Sequence, residues 1–478
     1  MIVCFFSGTI PPKVPPPEGF GISGGYTEFV VKETVLKSLK ILTLFAVVMM
    51  SFGLAYAGEC GTGCTATCCE DTDITVYGSA RYRLDIDGKS FAADANMDWT
   101  QFMRSRLGVK ASRGNSGMVF EVQDSRILGE DPGMLAGEFT NGGHDLNFDF
   151  DEYGMPMISM SQNDFGVRQA YLWHKPCDKG AIQVGRFGVS LHNERLIGQV
   201  GWHNIGRTTE GVLFKRSITD DITFIGSALQ VMELNADDAD GKNIMDPMFF
   251  VADVNFAEMG FDLFLYLLKN GNATDDNHKL MTFGAYSKRT FGSNMFYDAM
   301  FAMQSGSYDV APATKSTTAD VSGMMVNLEL GMKMESGTKV SALVDYTTGD
   351  DPTTATENEG FNNLLYTGHK WNGYMDYFLG GMDAGLMDIA LRVAHPVTES
   401  MWVKVDAHMF ATVEDYTKFG TVNEAATSIG NELDITVVKQ SGNMTIQGGL
   451  SIFLANEDWK GADAEMAKWA YLQSSFGF

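Results

Sequence analysis

The stretch "VYGSARYRLDID", Val76 to Asp87, sorts cleanly by parity. Val76, Ala80, Tyr82, Leu84 and Ile86 share one parity, with Gly78 between them; Tyr77, Ser79, Arg81, Arg83, Asp85 and Asp87 share the other. Successive side chains of a strand point to opposite faces, so this segment has one apolar wall and one charged wall. In a water-soluble sandwich the charged wall faces bulk water. In a membrane barrel it faces the lumen, and the rest of the chain decides between the two.

The alternation recurs along the chain. In "QFMRSRLGVKA", Met103, Ser105, Leu107 and Val109 oppose Arg104, Arg106 and Lys110. In "VNLELGMKME", Val326, Leu328, Leu330, Met332 and Met334 oppose Asn327, Glu329, Lys333 and Glu335. "MDIALRV" (387–393) and "WVKVDAHMF" (402–410) repeat the pattern. Two-residue alternation over so many segments predicts half-buried strands rather than helices.

The connections alternate too. "RGNSG" (113–117), "PCDKG" (176–180), "TDD" (219–221), "SGT" (336–338) and "SGN" (441–443) are tight turns rich in Gly, Asn, Asp and Ser. Between them lie long polar stretches at 127–164, 188–205, 233–247, 305–322, 348–384, 411–431 and 455–467. Short turns at one end and long loops at the other describe a bacterial outer-membrane barrel, with the long loops outside the cell.

The start and end of the chain agree with export to that membrane. "VLKSLKILTLFAVVMMSFGLAYA" (35–57) has a Lys37/Lys40 start, an apolar run and an Ala55-Tyr56-Ala57 cleavage site, and reads as a secretory signal peptide. Residues 1–34 precede it and are expected to be a misplaced upstream extension; 58–72 form a Cys-rich periplasmic segment, and 73–478 the barrel. Beyond the signal no apolar run approaches the roughly 20 residues of a spanning helix. The terminal "AYLQSSFGF" puts Phe476 and Phe478 on one parity and ends on an aromatic, resembling the assembly signal of outer-membrane proteins. The expected fold is therefore all-β: a transmembrane antiparallel β-barrel of about 18 strands, in the outer membrane of a Gram-negative bacterium. Its expected partners are outer-membrane lipid and the assembly machinery. The 35 Lys+Arg against 60 Asp+Glu, a formal charge of −25, leave no basic footprint for nucleic acid.

The middle of the chain carries more specific signals: Gly185-Arg186, Glu194-Arg195-Leu196-Ile197-Gly198, and Trp202-His203-Asn204-Ile205-Gly206-Arg207. A second block, "FNNLLYTGHKWNGYMDYF" (361–378), follows Gly349-Asp350-Asp351, and a third, "GNELDITVV", spans 430–438. These blocks resemble the alginate-export family of outer-membrane barrels, from which the chain departs at His192-Asn193. The resemblance implies a porin or channel that passes hydrophilic solutes, anionic saccharides among them, by passive diffusion. It does not fix the substrate.

Arginine offers a planar fork suited to carboxylates and sets the field of a pore. The expected pore-lining and constriction residues are Arg81, Arg83, Arg104, Arg106, Arg168, Glu194, Arg195, Arg207 and Asp376. Arg195 and Arg207 are expected to pair with Asp376 where two inward-folded loops meet. The bland alternative for the arginines is structural pairing with lumenal acids.

Other features carry less. Cys60, Cys64, Cys68 and Cys69 fit neither zinc nor haem spacing, so disulfides among them or to Cys177 are expected. The acidic "NADDADG" (235–241) offers oxygens suited to Ca2+ but lacks the closing Glu, and reads as a solvated loop tip; no cofactor is expected. "GISGG" (21–25) precedes the signal peptide and no helix pattern, and the eight histidines are scattered. A hydrolase built on His174 or His408, or an adhesive barrel, are the alternatives to a channel.

Overall fold

The computed structural model describes residues 72–92, 97–128, 146–150, 156–160, 164–177, 179–230, 248–269, 279–310, 317–351, 353–354, 356–421 and 424–478. The expected signal peptide, the N-terminal cysteines and the acidic 235–241 loop lie outside these residues, as does the side chain of Cys177.

Eighteen strands form the wall: β1 Asp73–Gly88, β2 Asp98–Arg113, β3 Ser116–Ile127, β4 Asp164–Cys177, β5 Gly180–Phe187 and β6 Thr209–Ser217. Next come β7 Ile222–Gln230, β8 Met248–Phe256, β9 Phe261–Lys269, β10 Lys279–Phe291, β11 Met295–Val310 and β12 Met324–Lys333. The last are β13 Lys339–Thr347, β14 Leu386–Thr398, β15 Met401–Thr417, β16 Ala425–Ser441, β17 Met444–Ala455 and β18 Ala467–Gly477. Each pairs antiparallel with the next, and β1 pairs with β18, so the sheet closes on itself and leaves no edge. Two short strands, Thr317–Val321 and Glu357–Asn358, extend the sheet beside β11, and the hairpin Leu146–Phe150/Pro156–Met160 stands apart from it.

The closure rests on the end of the chain. Phe478 exchanges backbone hydrogen bonds with Gly78 at 3.0 and 3.2 Å. Its ring lies where a β-carbon on residue 78 would sit, 2.7 Å from the nearest ring atom, so only glycine lets the terminal aromatic cover the seam.

The parity of the opening stretch holds around the barrel, inside out relative to a water-soluble protein. Leu172, Leu391 and Leu472 point outward and are 65 %, 55 % and 52 % exposed, whereas Arg81, Arg83, Asp345, Asp388 and Asp434 point inward and are buried. A continuous apolar exterior over charged interior residues is stable only against an apolar medium.

Short turns such as 114–115 and 442–443 alternate with long connections, as the composition predicts. Two expected boundaries shift. The stretch 411–431 is largely strand, since β15 runs to Thr417 and β16 restarts at Ala425. Likewise 305–322 contains the end of β11 and Thr317–Val321. The β15–β16 pairing slips in register after Phe410 and again after Ala411, which breaks the two-residue alternation that marks a strand in sequence.

Two long connections turn into the barrel and supply its packed interior. Loop A, residues 188–208, contributes Val189, Leu196 and Ile197 to a cluster with Leu229, Phe249, Phe264, Tyr266 and Met300 of the wall. Loop B, residues 348–385, places Met375 and Phe378 against Phe410, Phe453, Trp469 and Tyr471.

Candidate functional site: two loops inside the barrel

Loop A is held by its carbonyls. Arg81 donates from Nη1 to the carbonyl oxygens of Gly201 (3.1 Å) and Trp202 (2.9 Å), and from Nη2 to that of His203 and to Asn204 Oδ1. Arg83 donates to Trp202 O at 2.9 Å and stacks on the Trp202 ring. Arg104 donates to Gly201 O and His203 O. Arg168 bridges Glu121 on the wall (2.9 Å) and Gln199 of the loop (3.0 Å), and Arg106 bonds Gln123, whose amide reaches Ile205 O. Inward arginines on β1, β2 and β4 thus converge on one short piece of backbone.

Loop B is held by its amides. Glu432 accepts from Met375 N at 2.8 Å, and Asp434 accepts from Tyr374 N at 3.3 Å. Residues 201–205 of loop A therefore hang from the basic wall, and residues 374–375 of loop B from the acidic one.

The loops join each other through a parallel bridge at Ile197 and Leu365. Leu365 N donates to Leu196 O, Gly198 N to Leu365 O, and Thr367 N to Glu194 O. The Thr367 hydroxyl donates to Glu194 Oε2 at 2.9 Å. A β-carbon at Gly198 would meet Thr367 Oγ1 at 2.0 Å, so this contact requires glycine. Arg207 completes the junction by donating to Gly198 O, Leu365 O and Tyr366 O.

Meeting of the two loops matches the sequence expectation; the expected Arg–Asp pairing across them does not. Arg195 forms a two-pronged pair with Asp345 of β13 (Nε–Oδ2 2.6 Å, Nη2–Oδ1 2.9 Å) and also bonds Asn363. Arg207 has backbone partners, and Asp376 pairs with His369 at 2.8 Å. Asp345 wins Arg195 because it is an inward acid within bidentate reach, whereas the carbonyl cluster at the loop junction satisfies Arg207 without a counter-ion. Burial opposes the charge on Arg195, but Asp345 outweighs it and the guanidinium titrates above its usual range. Arg207 has no such acid, and burial brings it down to about 10.

His203 of loop A is a strongly shifted imidazole. Burial, reinforced by Arg83 and Arg81, brings it down to about 4, so it is neutral at pH 7 and accepts a hydrogen bond from Ile205 N. Among the described residues, five other than glycine have positive φ: His192, Glu194 and Val200 in loop A, Leu364 and Asp376 in loop B. All lie in these two loops, and a β-branched residue at φ 50° is a conformation that only surrounding contacts sustain. Among the described residues, local backbone strain is thus concentrated in these two lumenal segments.

Sequence reasoning missed Asp345, Asn193, Asn363 and Thr367. Asn193 reaches across to Asp298 (2.8 Å) and Asn327 (3.1 Å). Strand parity places Asp345, Asp298 and Asn327 inside, but nothing in the sequence says which loop residue each one meets.

A closed barrel of eighteen strands, apolar outside and charged within, narrowed by two internal loops, is the architecture of an outer-membrane channel for hydrophilic solutes. The chain belongs to the alginate export family, whose model matches residues 74–448. Its fold is that of solved outer-membrane porins. A BenF-like porin from Pseudomonas fluorescens Pf-5 is 13% identical, with 85% of this chain and 98% of that one covered and a TM-score of 0.55. OccK3 (OpdO) of Pseudomonas aeruginosa is 14% identical (84% and 95% covered, TM-score 0.52). OccK2 (OpdF) of the same organism, solved in complex with glucuronate, is 10% identical (85% and 98%, TM-score 0.55). No curated protein matches the chain in sequence.

Proposed function

We propose that this channel passes small anionic saccharides, uronates in particular, by passive diffusion along its basic wall, and that it catalyses no reaction. The observation that carries this is the state of the arginines. Arg83 has Asp85 and Arg168 has Glu121, but Arg81, Arg104 and Arg106 make no ion pair among the described residues. Arg81 Nε, Arg106 Nη2 and Arg168 Nε are buried and lack a hydrogen-bond acceptor among the described residues. Opposite them, several wall acids are already compensated: Asp298 by Lys288, Asp345 by Arg195, Asp388 by His408. Arg104 and Arg106, partly exposed and without a counter-ion among the described residues, suit a carboxylate passing along this wall. The relative solved with glucuronate supports the same class of solute.

Under this reading outer-membrane lipid covers the apolar exterior, and the strand ending in Phe478 is what the assembly machinery recognises. The expected constriction residues Arg81, Arg83, Arg104, Arg168, Glu194, Arg195 and Arg207 act by holding the loops, with Arg106 and Arg104 presenting charge. Asp376 acts through His369. Proteoliposomes test the proposal: glucuronate should enter faster than glucose, and Arg104→Gln with Arg106→Gln should cut glucuronate entry about tenfold while sparing glucose. Equal loss of both sugars, or no loss, would contradict an anion pathway along this wall.

A further inference from the structure

His192, the residue at which loop A departs from the family pattern, lies against two acids of the wall. A ring nitrogen of His192, an oxygen of Asp253 on β8 and an oxygen of Asp262 on β9 all lie within 4.8 Å of one another. The His192 side chain is 7 % exposed and that of Asp253 3 %. Nε2 and Asp253 Oδ2 approach to 2.8 Å, yet the ring N–H is not aligned on the oxygen, and neither atom has a hydrogen-bond partner among the described residues.

The surroundings orient these three groups rather than satisfy them. The Tyr266 hydroxyl meets the other ring nitrogen, Nδ1, at 3.3 Å, which leaves Nε2 directed at the acids. Asn255 Nδ2 donates to Asp262 Oδ1 at 2.8 Å and fixes that carboxylate. Tyr286 and Phe264 pack on the imidazole, with centroids 4.7 and 5.4 Å away, and fix its plane. The backbone at His192 holds φ at 53°, a left-handed conformation uncommon outside glycine.

One imidazole nitrogen and two carboxylates, with His192 and Asp262 braced from behind, form the donor set of a first-row divalent metal. Zn2+ takes nitrogen at about 2.0–2.1 Å and carboxylate oxygen at about 2.0–2.2 Å, which puts its ligands about 3–3.5 Å apart. A hard cation such as Ca2+ prefers six or more oxygens and has little use for imidazole. Braced outer groups are also the usual companions of metal-bound histidine. We propose that His192, Asp253 and Asp262 bind one Zn2+-type ion, with solvent completing the shell, and that the ion ties loop A to strands β8 and β9.

The test is metal binding by the full chain, folded in detergent. Wild type should retain one more Zn2+ per chain than His192→Ala after desalting, a difference from which any contribution of the cysteines cancels. Asp262→Asn, a milder change at the open side of the site, should weaken Zn2+ binding, and Tyr266→Phe should weaken it about 10–100-fold while keeping the stoichiometry. Co2+ bound to wild type should give a visible d–d spectrum that Zn2+ abolishes and that millimolar Ca2+ or Mg2+ leaves in place. That spectrum should lack the near-ultraviolet sulfur-to-metal bands of cysteine ligation and should weaken in Asp262→Asn, so it locates the ion even if His192→Ala fails to fold; thiolate bands alone would overturn the proposal. Equal Zn2+ content in wild type and a folded His192→Ala, or displacement of Co2+ by Ca2+, would reduce the cluster to a histidine–aspartate ion pair.

Discussion

At the scale of single residues, the interior works by trading charge for position. Arg195 is 1 % exposed and its charge is met by Asp345, 2 % exposed, so the pair fixes loop A to β13 only while both partners are present. Breaking a buried pair leaves an uncompensated charge, at a cost of about 3–5 kcal/mol, whereas replacing both members by apolar residues of similar volume is close to neutral. Arg195→Met should accordingly lower the melting temperature of the detergent-folded barrel, and Arg195→Met/Asp345→Leu should recover most of the loss. Additive damage in the double variant would show that the pair is not a unit. His203 makes a second prediction. Its folded value, about 4, lies below its ordinary 6.5, so the unfolded chain binds the extra proton first. The stability that neutral His203 contributes is present above pH 6.5 and is lost as the pH falls toward 4, because an imidazolium must then be buried, and beside Arg83 and Arg81. His203→Asn should flatten the fall in melting temperature between pH 7 and pH 4.5; an unchanged slope would place the proton uptake elsewhere.

At the scale of elements, neighbouring residues on one strand carry opposite instructions. Leu472 on β18 faces outward at 52 % exposure, and Gln473 faces in, opposite Arg83 of β1. Leu472→Arg should cost about 2–4 kcal/mol if it lies near the bilayer midplane, and should lower the yield of heat-modifiable folded barrel. Gln473→Glu should fold normally, since Arg83 stands beside it. Equal effects would mean that the two faces are not divided between lipid and lumen. This division was legible in the sequence, because a period of two is a local signal that any ten residues of strand display. The barrel's inward arginines on β1 and β2 were legible for the same reason. The partner of Arg195 was not, since Asp345 is 150 residues away and its identity depends on how deep loop A reaches. The slip in β15–β16 register was also hidden, because a bulge erases the alternation that would reveal it.

At the scale of the whole molecule, two loops meet in the lumen at Ile197 and Leu365; wall arginines grip carbonyls of 201–205 and wall acids grip the amides of 374–375, while Arg195–Asp345 and the Arg392 bond to Trp371 O cross that division. The same side chains therefore hold the loops and set the field that a solute crosses. Glycine at 198 is required at the junction, where a β-carbon would strike Thr367 Oγ1 at 2.0 Å. Gly198→Val should separate the loops and raise conductance without loss of the barrel; conductance identical to wild type would show that the junction does not narrow the pore. The most direct measurement is the reversal potential of single wild-type channels in a planar bilayer under a salt gradient. A small, anion-selective conductance is predicted, moving toward cation selectivity in Arg104→Gln. Cation selectivity in wild type, or a reversal potential that Arg104→Gln leaves unchanged, would contradict the account.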